Sequence, residues 1–197
     1  MATIDEAVAA LAAGELVVFP TESVYGMGAD ALSARAVDTL VATRGREADK
    51  PILVLASDLD MVRSLVQDLS PPAARLAHRF WPGPLTLVLA ARAGLAPALG
   101  AGTHTIGVRV PAHETARALV AALGRPVTAP SANPPGREPA HTIAEAHAYF
   151  GDRVRAYVDG GRLDGAVSTV VAIDGDRVRI VRRGPIDETS IRRTLEE

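Results

Sequence analysis

The sequence predicts a mixed α/β fold, a twisted sheet of parallel and antiparallel strands with flanking helices. Three observations predict it. Short apolar runs alternate with segments of helical period along most of the 197 residues, the pattern of strands threaded through helices. The last two strand-like runs, 168–173 and 177–181, flank Asp174-Gly175-Asp176. That is a strong hairpin signal, so the sheet is not strictly parallel. The length and a composition of 48% hydrophobic and 22% charged residues suit one globular domain over 1–197 with its own core.

Each element has a local reason. Thr3 and Glu6 have capping-box spacing, so 4–13 reads as a short amphipathic helix that Gly14 stops. Leu16-Val17-Val18-Phe19, bounded by Pro20, is a buried strand. Residues 34–43 read as a helix with Ser33 as candidate cap, and Ile52-Leu53-Val54-Leu55 as a second buried strand. Helices follow at 58–67 and 71–80. The second has Ser70 as cap and Pro71 in its first turn, where the missing N–H is tolerated. Residues 85–89 and 105–110 read as strands, 112–123 as a helix ended by Gly124, and 126–129 as a short extended piece. Thr142 and Glu145 make another capping box for a helix to about 149, and a last helix occupies 187–196. Loops remain at 20–30, 44–50, 130–141 and 159–167, where chemistry is expected because loops on a rigid scaffold carry most sites.

Composition narrows the functions. There are 21 basic against 23 acidic residues, for a net charge of −2, so any polyanion site must be a local cluster. The absence of cysteine excludes disulfides, thiolate metal sites and cysteine nucleophiles. Aromatics at 4% are thin for a platform that stacks successive bases. The acidic start Met-Ala-Thr-Ile-Asp-Glu lacks a signal peptide's basic residues, and no apolar run is long enough for a membrane span. A cytoplasmic location without membrane attachment is the expectation. His78, His104, His113, His141 and His147 show no metal-ligand spacing, so no protein metal site is expected. No Gly-x-Ser-x-Gly elbow is present.

The loops and strands hold the candidate groups. Gly26-x-Gly28-x-x-Ala31 loosely matches a dinucleotide fingerprint, but no acid ends the next strand, and ordinary turn glycines explain it as well. Arg44-Gly45-Arg46-Glu47-Ala48-Asp49-Lys50 is either a solvated basic helix end or a phosphate clamp, with Arg supplying planar forks. The Walker pattern is absent. Phe80-Trp81-Pro82-Gly83-Pro84-Leu85-Thr86 reads as a packed corner that orients the following strand. Arg109, inside an apolar run, is snorkelling, paired with an acid or waiting for an anion. Ala129-Pro130-Ser131-Ala132-Asn133 is a ligand loop or a plain turn. Ser168 and Arg182 sit where the two hairpin strands bring their ends together.

In order and spacing these motifs resemble the YrdC-like family of threonylcarbamoyl-AMP synthases, from about residue 4 to 190. They are Pro20-Thr21-Glu22-Ser23-Val24-Tyr25-Gly26, the basic loop, 80–86, Val108-Arg109-Val110-Pro111, Pro130-Ser131-Ala132-Asn133, Ser168-Thr169-Val170-Val171 and Arg182-x-Gly184. The resemblance implies a sheet curled around a positively lined cavity. It also implies a reaction of L-threonine, bicarbonate or CO2 and ATP, with Mg2+, that gives threonylcarbamoyl-AMP and pyrophosphate. That product feeds N6-threonylcarbamoyl modification of adenosine 37 in tRNA, with tRNA and the downstream transferase proteins as expected partners. Longer members carry an extra C-terminal domain, and this chain is expected to be the single-domain form.

By resemblance, Arg44, Arg46 and Lys50 act on the phosphates, and Arg46, Lys50, Thr105, Ser131, Asn133 and Arg182 hold ATP. Ser23, Arg109, Ala129 and Ser168 form the threonine pocket. Four positions depart from the family pattern. Arg44 replaces the usual Lys, Ser23 the usual Thr, Glu47 a Pro, and Leu55 a His found in many longer members. Other expectations for the same fold are RNA binding without catalysis and a carbamoyl-transfer paralogue.

Overall fold

The computed structural model describes residues 1–45 and 51–197. Elements run α1 (Ile4–Ala12), β1 (Val17–Pro20), β2 (Tyr25–Gly28), α2 (Ala34–Arg44), β3 (Leu53–Leu55), α3 (Leu59–Arg63), α4 (Pro71–Phe80) and β4 (Leu85–Ala90). There follow β5 (Thr105–Arg109), α5 (Glu114–Leu123), β6 (Val127–Thr128), α6 (Ile143–Phe150), β7 (Ala156–Tyr157), β8 (Thr169–Asp174), β9 (Arg177–Arg182) and α7 (Glu188–Glu196).

Local chemistry placed most of these. Both capping boxes form, at Thr3 with Glu6 and at Thr142 with Glu145. Ser33 caps α2 by accepting from the Ala36 N–H. The last hairpin closes with Asp174 opposite Arg177, and Gly175 takes φ +58°, a backbone state that suits glycine in such a turn. Ser70 stands at the start of α4 without a side-chain capping bond.

Four elements differ from the sequence expectation. Residues 58–67 give only α3, because the Leu65 carbonyl and the Gln67 N–H are drawn onto the end of β4 through Arg92 N and Ala90 O. The helix expected from 112 starts at Glu114, because His113 is extended at the N-cap position; the Ala112 N–H just before it bonds Glu22 Oε1 at 2.6 Å. The loop at 20–30 contains β2, paired antiparallel with β1 and buried throughout. The short β7 was also unforeseen; it lies parallel to β1.

Six strands form one sheet in the order β6-β3-β5-β4-β8-β9, and three form a second, β2-β1-β7. The larger sheet mixes parallel pairs (β3 with β5, β4 with β8) and antiparallel ones (β3 with β6, β4 with β5, β8 with β9). Bridges from Gly26 to Ser131 and from Asp30 to Val127 stitch the small sheet to the β6 edge of the large one. The joint is tight. A Cβ on Gly28 would lie 2.8 Å from Val17 and 3.0 Å from both Phe19 and Val127. Gly28 is therefore a packing glycine within a strand, which removes the dinucleotide reading of this loop.

Alternation along the strands separates two cores. Val54, Leu87, Val108 and Val171 face one core with Leu40 of α2, Leu76 of α4 and Ile191 of α7. Leu55 and Val127, of opposite parity, face a second core with Val17, Phe19, Leu11 of α1 and Leu119 of α5. Among the described residues no helix is long and apolar enough to cross a membrane.

Candidate ligand-binding site

One cross-strand row carries the chemistry. Register places Val127 beside Leu55 and Leu55 beside Arg109. Leu87 opposite Val108 puts Thr86 opposite Arg109. Thr86 then pairs with Val170, and Val170 with Arg182. The row Val127, Leu55, Arg109, Thr86, Val170, Arg182 thus crosses all six strands on one face, its members in side-chain reach of their neighbours.

Arg109 is 4% exposed, and its setting is built by the corner at 80–86. The Trp81 indole N–H bonds the Leu85 carbonyl at 2.7 Å. The Gly83 N–H bonds the Val110 carbonyl at 2.9 Å, and the Gly83 carbonyl accepts from Arg109 Nε at 2.8 Å. Opposite stands Glu22, at the tip of the β1–β2 turn. Thr21 braces that turn by donating its hydroxyl to the Val24 carbonyl at 2.6 Å. Glu22 Oε1 lies 2.5 Å from Arg109 Nη2. Of the three readings of Arg109, pairing with an acid is the one this arrangement displays. The contact does not have hydrogen-bond geometry, and among the described residues Arg109 Nη2 and Glu22 Oε2 are both buried without a hydrogen-bond partner. Burial lowers the Arg109 pKa and Glu22 opposes that shift. His113, whose Nδ1 is also buried without a partner, is held below the usual imidazole value by burial, against the pull of Glu22 and Glu114.

Beside Arg109, Thr86 and Ser168 share a hydrogen bond of 2.8 Å between their hydroxyls. Arg182 donates to the Ser168 carbonyl from Nε at 3.1 Å and from Nη2 at 2.9 Å, and to the Ser168 hydroxyl at 3.1 Å. Its pKa falls through burial first and the Arg109 charge second, so the two guanidiniums share one neighbourhood. Gly184 permits the close crossing here, since a Cβ would meet the Thr169 nitrogen at 2.4 Å. Ser23 is buried next to Glu22. The loop at 159–167 packs on that turn so closely that a Cβ on Gly165 would sit 1.9 Å from the Glu22 carbonyl oxygen.

A second group lies across the β1–β2 turn. Arg44, at the end of α2, donates from Nε to the Ser131 carbonyl at 2.9 Å. Ser131 bridges Gly26, whose Cβ position would be 3.5 Å from both Ala129 and Thr21. Ala129 extends the β6 edge through its N–H on the Leu53 carbonyl at 2.7 Å. The Asn133 amide nitrogen bonds the Pro134 and Arg137 carbonyls at 3.0 and 2.8 Å, leaving its buried Oδ1 without a partner. Thr105, on the Arg109 face and about 13 Å along the strand, shares a hydroxyl hydrogen bond of 2.7 Å with Thr103. Arg46, Glu47 and Lys50 lie outside the described residues.

Sequence reasoning named the motifs holding Glu22, Gly83 and Thr86 without giving these residues a role, and gave none to His113. Only register and long-range pairing reveal them. A cavity of about 890 Å3 lies elsewhere, between α1, α6 and β7, and one of about 440 Å3 borders Arg182 between β9 and α7.

The fold and the site define an α/β protein that presents one buried guanidinium, Arg109, a more exposed one, Arg182, and buried hydroxyls on one sheet face, chemistry suited to a small carboxylate or phosphate ligand. A family model, Sua5/YciO/YrdC, described as "Telomere recombination", matches residues 9–184. The threonylcarbamoyl-AMP synthase of Pyrococcus abyssi is 37% identical over 188 residues, 93% of this chain and 54% of that protein. That of Halorhodospira halophila is 38% identical over 183 residues, 91% of this chain and 94% of that protein. The crystal structure of P. abyssi Sua5 complexed with L-threonine superposes with a TM-score of 0.91 at 35% identity, covering 97% of this chain and 56% of that one. The chain belongs to the Sua5/YciO/YrdC family. It spans about half the length of the P. abyssi relative it matches.

Proposed function

We propose that the protein is an L-threonylcarbamoyladenylate synthase, a nucleotidyltransferase acting on ATP, L-threonine and bicarbonate or CO2. The observation that carries this reading is the row joining Arg109, Thr86 and Arg182 with Ser168, on a chain whose relatives bear that name. Arg109 and Ser168, with Ser23 and the Ala129 backbone, would receive threonine. Arg44, Ser131, Asn133, Thr105 and Arg182 would receive the nucleotide. Arg46 and Lys50 would join them on the phosphates.

The chemistry asks for positioning more than for a nucleophile. The threonine ammonium first gives a proton to water; the neutral amine then attacks the carbon of CO2, and the nitrogen passes a second proton to water, leaving a carbamate. A carbamate oxygen then attacks the α-phosphorus of ATP, and pyrophosphate leaves with the bridging oxygen. Carbamates decompose in water, so the buried setting of Arg109, Thr86 and Ser168 favours the second step by excluding it. Arginines near the leaving pyrophosphate offset its charge. Magnesium would arrive on the triphosphate. Among the described residues no group of three or more His, Asp or Glu is placed to hold a metal, so phosphate oxygens and water would ligate it.

The product would serve tRNA adenosine modification in the cytoplasm, handed to a transferase, with 1–197 acting as one domain. The test is an assay of purified protein with ATP, magnesium, bicarbonate and labelled threonine. Pyrophosphate release that requires both threonine and bicarbonate is the expected result. Folded protein that releases none contradicts the reading.

A further inference from the structure

Buried polar side-chain atoms are nearly always hydrogen-bonded, and exceptions ask for a cause. Glu22 Oε2, Arg109 Nη2 and His113 Nδ1 are such exceptions among the described residues, and they gather around one ion pair. Arg109 is well bonded only through Nε, to the Gly83 carbonyl. Glu22 Oε1 already accepts the Ala112 N–H and meets Arg109 Nη2 without hydrogen-bond geometry. A saturated arginine–carboxylate bridge would use two parallel N–H donors. Here two opposite charges touch while most of their bonding capacity is idle.

We propose that Glu22 and Arg109 are the two halves of a receptor for an α-amino acid zwitterion. The ligand enters between them, its carboxylate replacing Glu22 on the Arg109 fork and its ammonium taking the Glu22 carboxylate. The inference rests on reading this site as an amino-acid pocket, and it assigns the amine to a residue outside the set that the motifs suggested.

Charge balance is the argument. A zwitterion inserted into an ion pair turns one compensated pair into two and adds no net charge to a buried place. A carboxylate without an amine would claim Arg109 and leave Glu22 facing extra negative charge. An amine without a carboxylate would do the reverse to Arg109. The site therefore rejects either half-ligand through an uncompensated charge, selection by penalty as much as by attraction. The neighbours agree. Leu55, next to Arg109 in the row, is apolar and offers nothing to an amine. Among the described residues, Arg182 feels the charge of Arg109, and His113 feels those of Glu22 and Glu114. Glu22 stands on a turn tip, and its side chain is 22% exposed.

Calorimetric titration of the unmodified protein with L-threonine, L-threoninamide and 3-hydroxybutyrate tests this. Threonine should bind about tenfold or more tightly than either analogue. Glu22→Gln should weaken threonine by about tenfold and shrink its advantage over 3-hydroxybutyrate to under about threefold, with Glu22→Asp restoring part of it. Equal affinity of the unmodified protein for threonine and 3-hydroxybutyrate overturns the proposal whatever the variants do. So does a Glu22→Gln protein, folded by circular dichroism, in which both ligands weaken by one factor, since Glu22 would then only position Arg109. Equal affinities alongside threonine-dependent pyrophosphate release would sink the zwitterion reading alone. Loss of both threonine binding and release would sink the amino-acid pocket with it.

Discussion

The two ends of one sheet face carry opposite chemistry. At the β6–β3 end, Val127 and Leu55 are packed under Val17, Phe19, α1 and α5 in an apolar core. At the β5–β4–β8–β9 end, the same parity carries Arg109, Thr86, Val170 and Arg182, with Ser168 beside them. The small sheet explains the difference. Bridged to the β6 edge, it covers the first half with side chains and reaches the second only with the turn that bears Glu22. On the proposed reading a single sheet joins a stability region to a ligand region, and the change from apolar to polar side chains falls between Leu55 and Arg109.

Mutations on either side should separate activity from stability. The largest effect is expected for Arg109→Ala, which should cut kcat/KM for threonine by about a hundredfold or more and, by stranding Glu22, cost about 3 kcal/mol of stability. Adding Glu22→Gln to Arg109→Met should recover stability in denaturant melts but not activity. On the covered half, Leu119→Ala should cost about 2–5 kcal/mol through a cavity, while kcat/KM of the folded fraction stays within about twofold. Thr86→Val keeps the shape but removes the hydroxyl bonded to Ser168. It should lower activity by about tenfold while unfolding free energy shifts by about 1 kcal/mol or less.

The smallest effect is a pH dependence at the boundary. Burial holds His113 below the ordinary imidazole value of 6.5, so the unfolded chain takes the proton first. Its contribution to stability is full above that value and is lost as pH falls below it. His113→Gln should lose less Tm than the unmodified protein between about pH 7.5 and about pH 5.5. The capping carboxylates Asp58 and Asp187 are lowered from 3.8 and act only at more acid pH.

The two hairpins show what a sequence reveals. The β8–β9 hairpin announces itself because Asp174-Gly175-Asp176 is turn chemistry between alternating runs. The β1–β2 hairpin hides. Tyr25-Gly26-Met27-Gly28 has no strand composition, and its glycines are there because Val17, Phe19 and Val127 leave Gly28 no room. The caps at Thr3 and Thr142 were legible as local patterns. The end of α3 was not, because the competing bonds come from β4. In the site, Arg109 stood out as a cation in an apolar strand. Its partner Glu22, the Gly83 carbonyl that aims it and the row that sets Thr86 beside it depend on register across the sheet, which no single stretch encodes.

The central claim is that ligand chemistry resides on the half of this face that carries Arg109, Thr86, Ser168 and Arg182. Titrating isotope-labelled protein with threonine and a non-hydrolysable ATP analogue, while following backbone amide NMR signals, tests it most directly. The account predicts shifts at Ser23, Arg109, Ser168 and Arg182, with Leu11 and Leu119 unmoved. Shifts confined to Ala10, Ala144, His147 and Tyr157, around the cavity of about 890 Å3 on the other side of α1, would contradict it.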